Sequence, residues 1–360
     1  MLEVENLLLS TIKVAVEETI AAHNQTMNTP FSTGTLCITD KLRHAILEVL
    51  VSHSDNIPHP ASGDDSYSNT LTRWQILAYV AGIDLTIVKW FESHLDALSI
   101  LHEIGYNQVA QGLWAVWAAE GHPLHYEQGK VCGTKAWCSG ANIVDHGLMT
   151  YRDEDGHSQL LTVDMQQDGI KIDNSAWQAV GMQATDTATI QFEQVAVSRV
   201  GSANAYLDRV GFWHGAAGVA ACWYGATAYL ADYLIKAYQH KPNDYKAMYL
   251  GQVSTVLAVT QQYFYHVAGL IDREPQQSHE LAIRLLRANV EQLARQVLDR
   301  VGQALGAAPF CNNAHFARLA ADLPVFIRQS HGAFDLQKIG ELTSVSASKA
   351  ADKQENIWQL

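Results

Sequence analysis

The hydrophobic periodicity of this chain changes twice, and each change limits what the flanking segments can form. Residues 1–112 and 203–345 place apolar side chains at helical spacing. Between them, residues 113–202 form short runs that are β-branched or alternate apolar and polar residues, separated by Asp-Gly turn pairs. The pattern predicts an α+β protein with an N-terminal helical domain, a central antiparallel β barrel or sandwich, and a C-terminal bundle of four or five helices. Residues 346–360 are predicted to form a tail.

The predicted elements are short in the β region and long in the C-terminal region. N-terminal helices are expected at 7–22, 40–53, 74–90 and 94–104, with Asp40 as the N-cap of the second. Strands are expected at 113–119, 130–135, 147–151, 159–164, 170–172 and 187–197. Bundle helices are expected at 206–238, 245–271, 279–305, 313–329 and 333–348. Asp322 and Pro324 predict a kink or break in the fourth of these.

Composition narrows the class of protein. Of the 360 residues, 48% are hydrophobic and 17% are charged, as in soluble folded proteins rather than disordered ones. The net charge of −13 argues against a general nucleic-acid-binding surface, which needs clustered Lys and Arg. Residues 210–231 lack Asp, Glu, Lys and Arg over a membrane-spanning length. Because they are mostly Gly and Ala and include His214, we expect a buried bundle helix and no membrane span.

The cysteines and the N-terminal residues indicate the compartment. The five cysteines are scattered, odd in number and contain no CxxC pair, which favours a reducing environment and no structural zinc site. Glu3 and Glu5 stand where a signal peptide would carry positive charge. We therefore expect a cytoplasmic protein without a bound metal.

Residues 129–151 contain the pattern most suggestive of a ligand. Two β-type runs flank a bend that carries Trp137, Cys138, Ser139 and Gly140. An indole can cover one face of a planar aromatic ligand, and a Gly/Ser backbone can approach closely enough to donate N–H bonds. A tryptophan in a β turn is more often ordinary core packing, so both interpretations remain open from these residues alone.

Four motifs occur in order within residues 70–340. They are GTKAWCS at 133–139, VGMQATDTATIQFEQVAVSRVG at 180–201, QALG at 303–306 and RLAAD at 318–322. In this order and spacing they resemble the acyl-CoA dehydrogenase family of flavoenzymes. The resemblance implies the helix–sheet–bundle architecture of that family.

The resemblance also implies an activity and a cofactor. It implies an FAD-dependent oxidoreductase that acts on the CH–CH group of an acyl thioester, carried by CoA or by a carrier protein. The implied reaction removes a proton α to the carbonyl and transfers a hydride to the flavin; the electron acceptor stays open. Residues implied to contact FAD are Trp137, Cys138, Ser139, Glu120, Gln303 and Gly306. The last two belong to the adenine end, which the family commonly shares between subunits, so a homodimer or homotetramer is expected.

The catalytic base departs from the family pattern. Many members carry a glutamate after the helix that matches RLAAD, whereas this chain has RQSHG at 328–332. Some relatives instead carry the glutamate at the start of the first bundle helix. Asp208 matches that position in this chain and is therefore the candidate base. Its alternative interpretation is a helix N-terminal aspartate favoured by the macrodipole. His331 is the other catalytic candidate, because monooxygenases of the same fold often place a histidine in this neighbourhood and histidine titrates near neutral pH. Otherwise it is an interhelical hydrogen-bonding residue.

Three segments implied to hold the flavin also differ from the family. The loop AEGHP at 119–123 lacks a following G-S-D, QHKPND at 239–244 replaces an arginine-containing turn, and Ala321 replaces the arginine of an R-D pair. Each lost charged hydrogen bond is worth about 1.5–3 kcal/mol. Three functions therefore stay open: the acyl thioester dehydrogenase, a flavin-dependent monooxygenase of the same fold, and a non-catalytic scaffold or binding protein that has lost flavin.

Overall fold

Helices, a sheet and further helices follow one another along the chain, which confirms the predicted α+β fold class. The computed structural model describes residues 6–23, 36–62, 68–120, 123–352 and 356–359. The N-terminal helices are α1 (Leu7–Ala22), α2 (Asp40–Ser52), α3 (Asn69–Ile83) and α4 (Leu85–Glu103). The apolar faces of these helices join a hydrophobic core that extends continuously into the sheet and the C-terminal helices.

The break between α3 and α4 lies at Asp84, so the predicted bounds of 74–90 and 94–104 were wrong. Asp84 has an extended backbone, and its Oδ1 accepts the N–H groups of Thr86 at 2.8 Å and Ile87 at 3.0 Å. Its Oδ2 accepts Nε of Arg43 at 3.1 Å. The cap starts a new helix after one non-helical residue. Because apolar residues continue on both sides of Asp84, hydrophobic periodicity gives no sign of this break.

The N-cap of α2 is Thr39, so the prediction of Asp40 as the N-cap was wrong. The Thr39 hydroxyl accepts the N–H of Leu42 at 3.3 Å. Asp40 occupies the first helical turn, where it pairs with Arg43 at 2.6 Å. A carboxylate in the first turn is favoured by the helix dipole, so both residues stabilise the same helix start.

The central region is a seven-stranded sheet in the order β1-β4-β5-β7-β3-β2, with β6 also paired to β7. The strands are β1 (Trp114–Trp117), β2 (Leu124–Glu127), β3 (Lys130–Cys138), β4 (His146–Arg152), β5 (Ser158–Asp164), β6 (Ile170–Asp173) and β7 (Ala188–Val200). The prediction missed β2. The prediction of an antiparallel sheet was also wrong for one pair of strands. β1 pairs with β4 in parallel, while the other pairs are antiparallel.

The C-terminal region is helical throughout the residues that the structure describes. Its helices are α5 (Ala205–Asp208), α6 (Gly211–His240), α7 (Asp244–Arg273), α8 (Glu280–Leu305), α9 (Ala308–Asn312), α10 (Ala314–Phe326) and α11 (Ala333–Ala351). Pro324 does not break α10, which continues to Phe326 and then tightens into a 3₁₀ turn. α11 extends past residue 345; the domain boundaries remain predictions.

Helix α6 is the centre of the C-terminal region and packs against α3, α4, α7, α8 and α10. Most of the uncharged segment 210–231 lies in this helix, with much of it buried as predicted. Gly225 lets α6 approach α3, since a side chain there would overlap the backbone of Ala78. No helix among the described residues has the length and apolarity needed to cross a bilayer.

A buried carboxylate joins α10 to the loop before β7. Oδ1 of Asp322 accepts the backbone N–H of Met182 at 2.6 Å, and neither residue is more than 4% exposed. Burial raises the pKa of Asp322 to about 6, against the stabilising effect of the Met182 N–H. This contact fixes the 182–187 loop against the end of α10.

Candidate functional site

A cavity of about 670 Å³ lies where the end of β3 and the 182–187 loop meet the C-terminal end of α10. We call it the tryptophan cavity, because Trp117, Trp137 and Trp177 line it. Its volume lies within the usual range for small-molecule sites. It is the place at which the sheet and the bundle contribute side chains to one space.

The backbone of β3 turns Trp137 toward this cavity. The register of β3 against β7 shifts between Lys135 and Cys138, and Trp137 has a φ of 63°. A bulky residue at positive φ is an outlier whose strain the surrounding structure must hold. The indole is consequently 64% exposed, and it meets Trp177 edge-on with ring centroids 6.5 Å apart. A large apolar surface is thus available to a ligand.

A row of hydroxyl groups forms a polar wall of the same cavity. The Oγ of Ser139 lies 2.9 Å from Oγ1 of Thr187, which lies 3.0 Å from Oγ1 of Thr185. Thr185 donates its hydroxyl to the carbonyl of Met182 at 2.8 Å. The Trp117 indole N–H, donated to the carbonyl of Ser139 at 3.2 Å, fixes the start of the row. Because hydroxyl hydrogens rotate, the row can donate to or accept from a polar ligand edge.

The ionisable side chains of the tryptophan cavity are Lys89, Arg328 and His331, and no carboxylate is present among the described lining residues. Lys89 pairs with Glu92, one helical turn further along α4, at 3.6 Å. His331 is exposed, and its backbone N–H donates to Asp335 at 3.1 Å, which fixes the residue before α11. The cavity is therefore cationic and contains one imidazole.

The structure brings only some of the predicted site residues together. Trp137, Ser139 and His331 line the tryptophan cavity together. Cys138 is fully buried in the core; its thiol donates to the carbonyl of Lys135 at 3.4 Å, and burial raises its pKa to about 12. Glu120 lines a different cavity, where it pairs with Arg152 at 2.7 Å.

Pro123 and Leu124 also line this different cavity, whereas Gly121 and His122 lie outside the described residues. Lys135, buried in its wall, donates to the carbonyl of Thr150 at 2.6 Å. Burial lowers the pKa of Lys135 to about 8.

The remaining predicted residues line neither cavity. Asp208 is exposed at the end of the short helix α5. Gln303, near the end of α8, donates its amide to the carboxylate of Asp299 at 3.1 Å, and Gly306 ends that helix with a φ of 69°. Their suggested roles as base and adenine-side contacts stay predictions.

A third cavity, of about 390 Å³, lies between α3, α4 and α6 and was not predicted. We call it the charged cavity, because Arg73, Glu92, Asp96, Glu103 and Arg209 line it. Its acidic residues all come from one face of α4, at spacings of four and seven residues that align side chains along a helix. That spacing is the sequence signal that could have revealed it.

Comparisons with known proteins identify the fold. No family model matches the sequence, and no curated protein matches it. Among solved structures, butyryl-CoA dehydrogenase from Megasphaera elsdenii is similar with a TM-score of 0.75 at 12% identity, covering 95% of this chain and 98% of that one. The chain has the acyl-CoA dehydrogenase fold. An acyl-CoA dehydrogenase from Slackia heliotrinireducens DSM 20476 gives a TM-score of 0.72 at 16% identity over 97% and 98% of the two chains.

The acyl-CoA dehydrogenase fold also occurs in a protein with different chemistry. FMN-bound TdsC from Paenibacillus sp. A11-2, a dibenzothiophene monooxygenase, is similar with a TM-score of 0.71 at 16% identity. The match covers 93% of this chain and 94% of TdsC. At such identities the likeness establishes the fold, and the reaction has to be argued from the site.

Proposed function

We propose that this chain is a flavin-dependent monooxygenase that holds the flavin ring in the tryptophan cavity. The observation that carries the choice of reaction is the set of ionisable residues there: Lys89, Arg328 and His331, with no carboxylate among the described lining residues. Removal of a proton α to a thioester carbonyl needs a base beside the substrate. An imidazole among cations instead suits delivery or acceptance of a proton at a developing anion.

The walls of the tryptophan cavity fit an isoalloxazine ring. The ring is planar and aromatic, so the exposed indole of Trp137 can cover part of its surface, with Trp177 edge-on beside it. Ser139, Thr185 and Thr187 supply hydroxyls for its polar edge. These residues are the support for a flavin; the same features do not fit a metal or a nucleic acid.

The choice between FAD and FMN depends on the residues that would hold the phosphates and the adenine end. Arg328 and Lys89 are the lining cations available to a phosphate within one chain. Gln303, proposed for the adenine end, is bonded within α8 to Asp299. FAD is therefore proposed from the sequence resemblance alone, whereas the structure of TdsC contains FMN. Identification of the flavin released by heat separates the two.

The chain's own residues would position the reactants around the ring. A bound reduced flavin supplies the electrons that activate molecular oxygen. His331 would transfer a proton through Nδ1 or Nε2, with its backbone held by Asp335. Replacing a general acid or base typically costs about 10²–10⁴ in rate. Arg328 and Lys89 would stabilise negative charge that develops beside the imidazole.

The acyl thioester dehydrogenase is the second candidate, and one observation favours it. Glu92 is 7% exposed, burial raises its pKa, and it pairs with Lys89 of the tryptophan cavity. A buried carboxylate with a raised pKa is a recognised general base. Glu92 would then replace Asp208, which is exposed and lines neither cavity.

A homo-oligomer is proposed from the outer surface of α7. Tyr245, Met248 and Val259 are 76%, 49% and 66% exposed, and apolar residues of this size are enriched in subunit interfaces. Light scattering of the purified chain would measure the mass of the assembly directly; a monomer at micromolar concentration would exclude it.

Two reactions of the flavin-loaded protein separate the two candidate functions. We expect that butyryl-CoA does not bleach the flavin absorbance without oxygen, and that oxygen reoxidises the photoreduced protein. His331→Gln should slow this reoxidation about 10²-fold without changing flavin affinity, because a proton-transfer group is lost. His125→Gln is the matched control, since His125 is exposed and lines a different cavity. Anaerobic bleaching by butyryl-CoA, abolished by Glu92→Gln, would instead establish the dehydrogenase.

A further inference from the structure

The charged cavity contains a buried guanidinium, that of Arg73, which has few hydrogen-bond partners. Arg73 is 5% exposed and donates one hydrogen bond among the described residues, to the carbonyl of Pro58 at 3.3 Å. Guanidinium has five N–H donors. Glu92 and Asp96 act on Arg73 only at longer range, without forming an ion pair with it. A buried cation without a directly paired anion can bind the anionic group of a ligand.

A carboxylate that lines the same cavity, Asp96 of α4, is also weakly paired. The nearest cation to Asp96 is Arg209, at 3.8 Å, and that guanidinium is engaged more closely by Glu103 at 3.0 Å. Gly215 of α6 leaves room for Asp96, since a Cβ there would lie 2.7 Å from its Oδ1. Asp96 is thus the acceptor most available to a cationic ligand.

The formal charges of this region sum to zero. The cavity is lined by the cations Arg73 and Arg209 and the anions Glu92, Asp96 and Glu103, and Lys89 pairs with Glu92 from the tryptophan cavity. His59 adds no charge near Arg73, because burial, and after it Arg73 itself, lower the pKa of His59 to about 4. A ligand with one charge would leave a net charge in a poorly solvated space. A zwitterion would not.

We propose that the charged cavity binds a small amino carboxylate, with its carboxylate on Arg73 and its ammonium on Asp96. The space of about 390 Å³ suits a molecule of this class, and a long acyl chain would have to bury charged side chains such as Arg73 and Asp96 without pairing them. As a substrate assignment this rests on the proposed flavin function, because Glu92 of this cavity pairs with Lys89 of the tryptophan cavity.

Calorimetric titration of the full-length chain tests the ligand class without turnover. The probes are glycine, β-alanine, 4-aminobutyrate and 6-aminohexanoate, compared with butyrate and butylamine, which each keep one charge. One charge-assisted hydrogen bond is worth about 1.5–3 kcal/mol, or roughly 10- to 100-fold in affinity. We expect at least one amino carboxylate to bind 10- to 100-fold more tightly than either single-charge analogue.

Substitutions assign the two ends of the ligand. Arg73→Gln should weaken amino carboxylate binding about 10- to 100-fold and leave butylamine binding unchanged. Asp96→Asn should weaken amino carboxylate and butylamine binding alike and leave butyrate binding unchanged. Lys171→Gln is the control, because it removes an exposed ion pair with Glu193 on the sheet. If Arg73→Gln fails to fold by circular dichroism, Asp96→Asn decides, since asparagine is isosteric with aspartate.

The outcomes distinguish this proposal from the flavin proposal. Binding of an amino carboxylate to colourless protein that takes up no flavin would support the charged cavity and refute the flavin site. A yellow protein that binds none of the six probes would refute only the amino carboxylate. The proposal is also overturned if butyrate binds as tightly as every amino carboxylate, or if Asp96→Asn leaves their affinity unchanged.

Discussion

Replacing Asp322 with asparagine should remove a pH dependence from the stability of this protein. Asp322 is fully buried, and Arg318 is its nearest cation, at 3.7 Å. Burial raises its pKa from 3.8 to about 6, and Asp84 adds to this effect, while the Met182 N–H and then Arg318 and Arg43 oppose it. The folded state therefore binds the proton more tightly than the unfolded chain does.

The sign and size follow from this difference in pKa. Below about pH 4 the carboxyl is protonated in both states, and above about pH 6 it is ionised in both. Between these values stability falls as pH rises, by about 2 pKa units or about 3 kcal/mol in total. Asparagine does not ionise. The unfolding free energy of Asp322→Asn minus that of the native chain should therefore rise by about 3 kcal/mol from pH 4 to pH 7.

Urea denaturation of both proteins at several pH values measures the two unfolding free energies. Subtracting one from the other removes the contribution of groups that both proteins share, such as Glu92. Asp322→Ala separates charge from hydrogen bonding, since it leaves the buried Met182 N–H without its acceptor. That loss should cost about 1–3 kcal/mol even at low pH. A difference between asparagine and aspartate that stays constant with pH, or falls as pH rises, would refute the assignment of a raised pKa.

Two other predictions follow from packing and from thiol burial. Gly225→Ala should destabilise the protein by about 1–3 kcal/mol in urea, because the methyl group would overlap the backbone of α3. Gly251→Ala, where the added methyl meets open space on α7, should instead be neutral or stabilising; equal effects would contradict the close contact at Gly225. Exposed Cys311 should react with a thiol reagent at pH 8 in the native protein, whereas buried Cys138, with a pKa of about 12, should react only after unfolding. Fast native labelling of Cys138 would show that the core around β3 opens.

The order of elements and the position of the tryptophan bend could be predicted, because both depend on local signals. Periodicity separates helix from strand within a window of residues, and the GTKAWCS motif placed Trp137 and Ser139 together. The parallel pairing of β1 with β4 was not predictable in the same way. It depends on contacts between segments about 30 residues apart, which alternation along one strand does not encode.

The charged cavity shows why a site can be missed when an element bound is wrong. Glu92 and Asp96 lie on one continuous helix, but the predicted break between residues 90 and 94 removed Glu92 from it. The actual break lies at Asp84, and hydrophobic periodicity does not reveal it because apolar residues continue on both sides. Arg73 and Arg209 come from segments far apart in sequence, and only the packing of α3 and α6 brings them to α4.

Equilibrium titration of the purified chain with FMN and with FAD tests the central claim most directly, with flavin fluorescence and visible absorbance as readouts. We expect saturable binding of at least one flavin. Trp137→Ala should weaken it about 10-fold or more, since a ring-stacking contact is worth about 1–3 kcal/mol. Trp358→Ala removes another exposed indole, which lines neither the tryptophan cavity nor the charged cavity, and should leave flavin affinity unchanged. A chain that binds neither flavin, or that binds one equally well without Trp137, would contradict a flavin site in the tryptophan cavity.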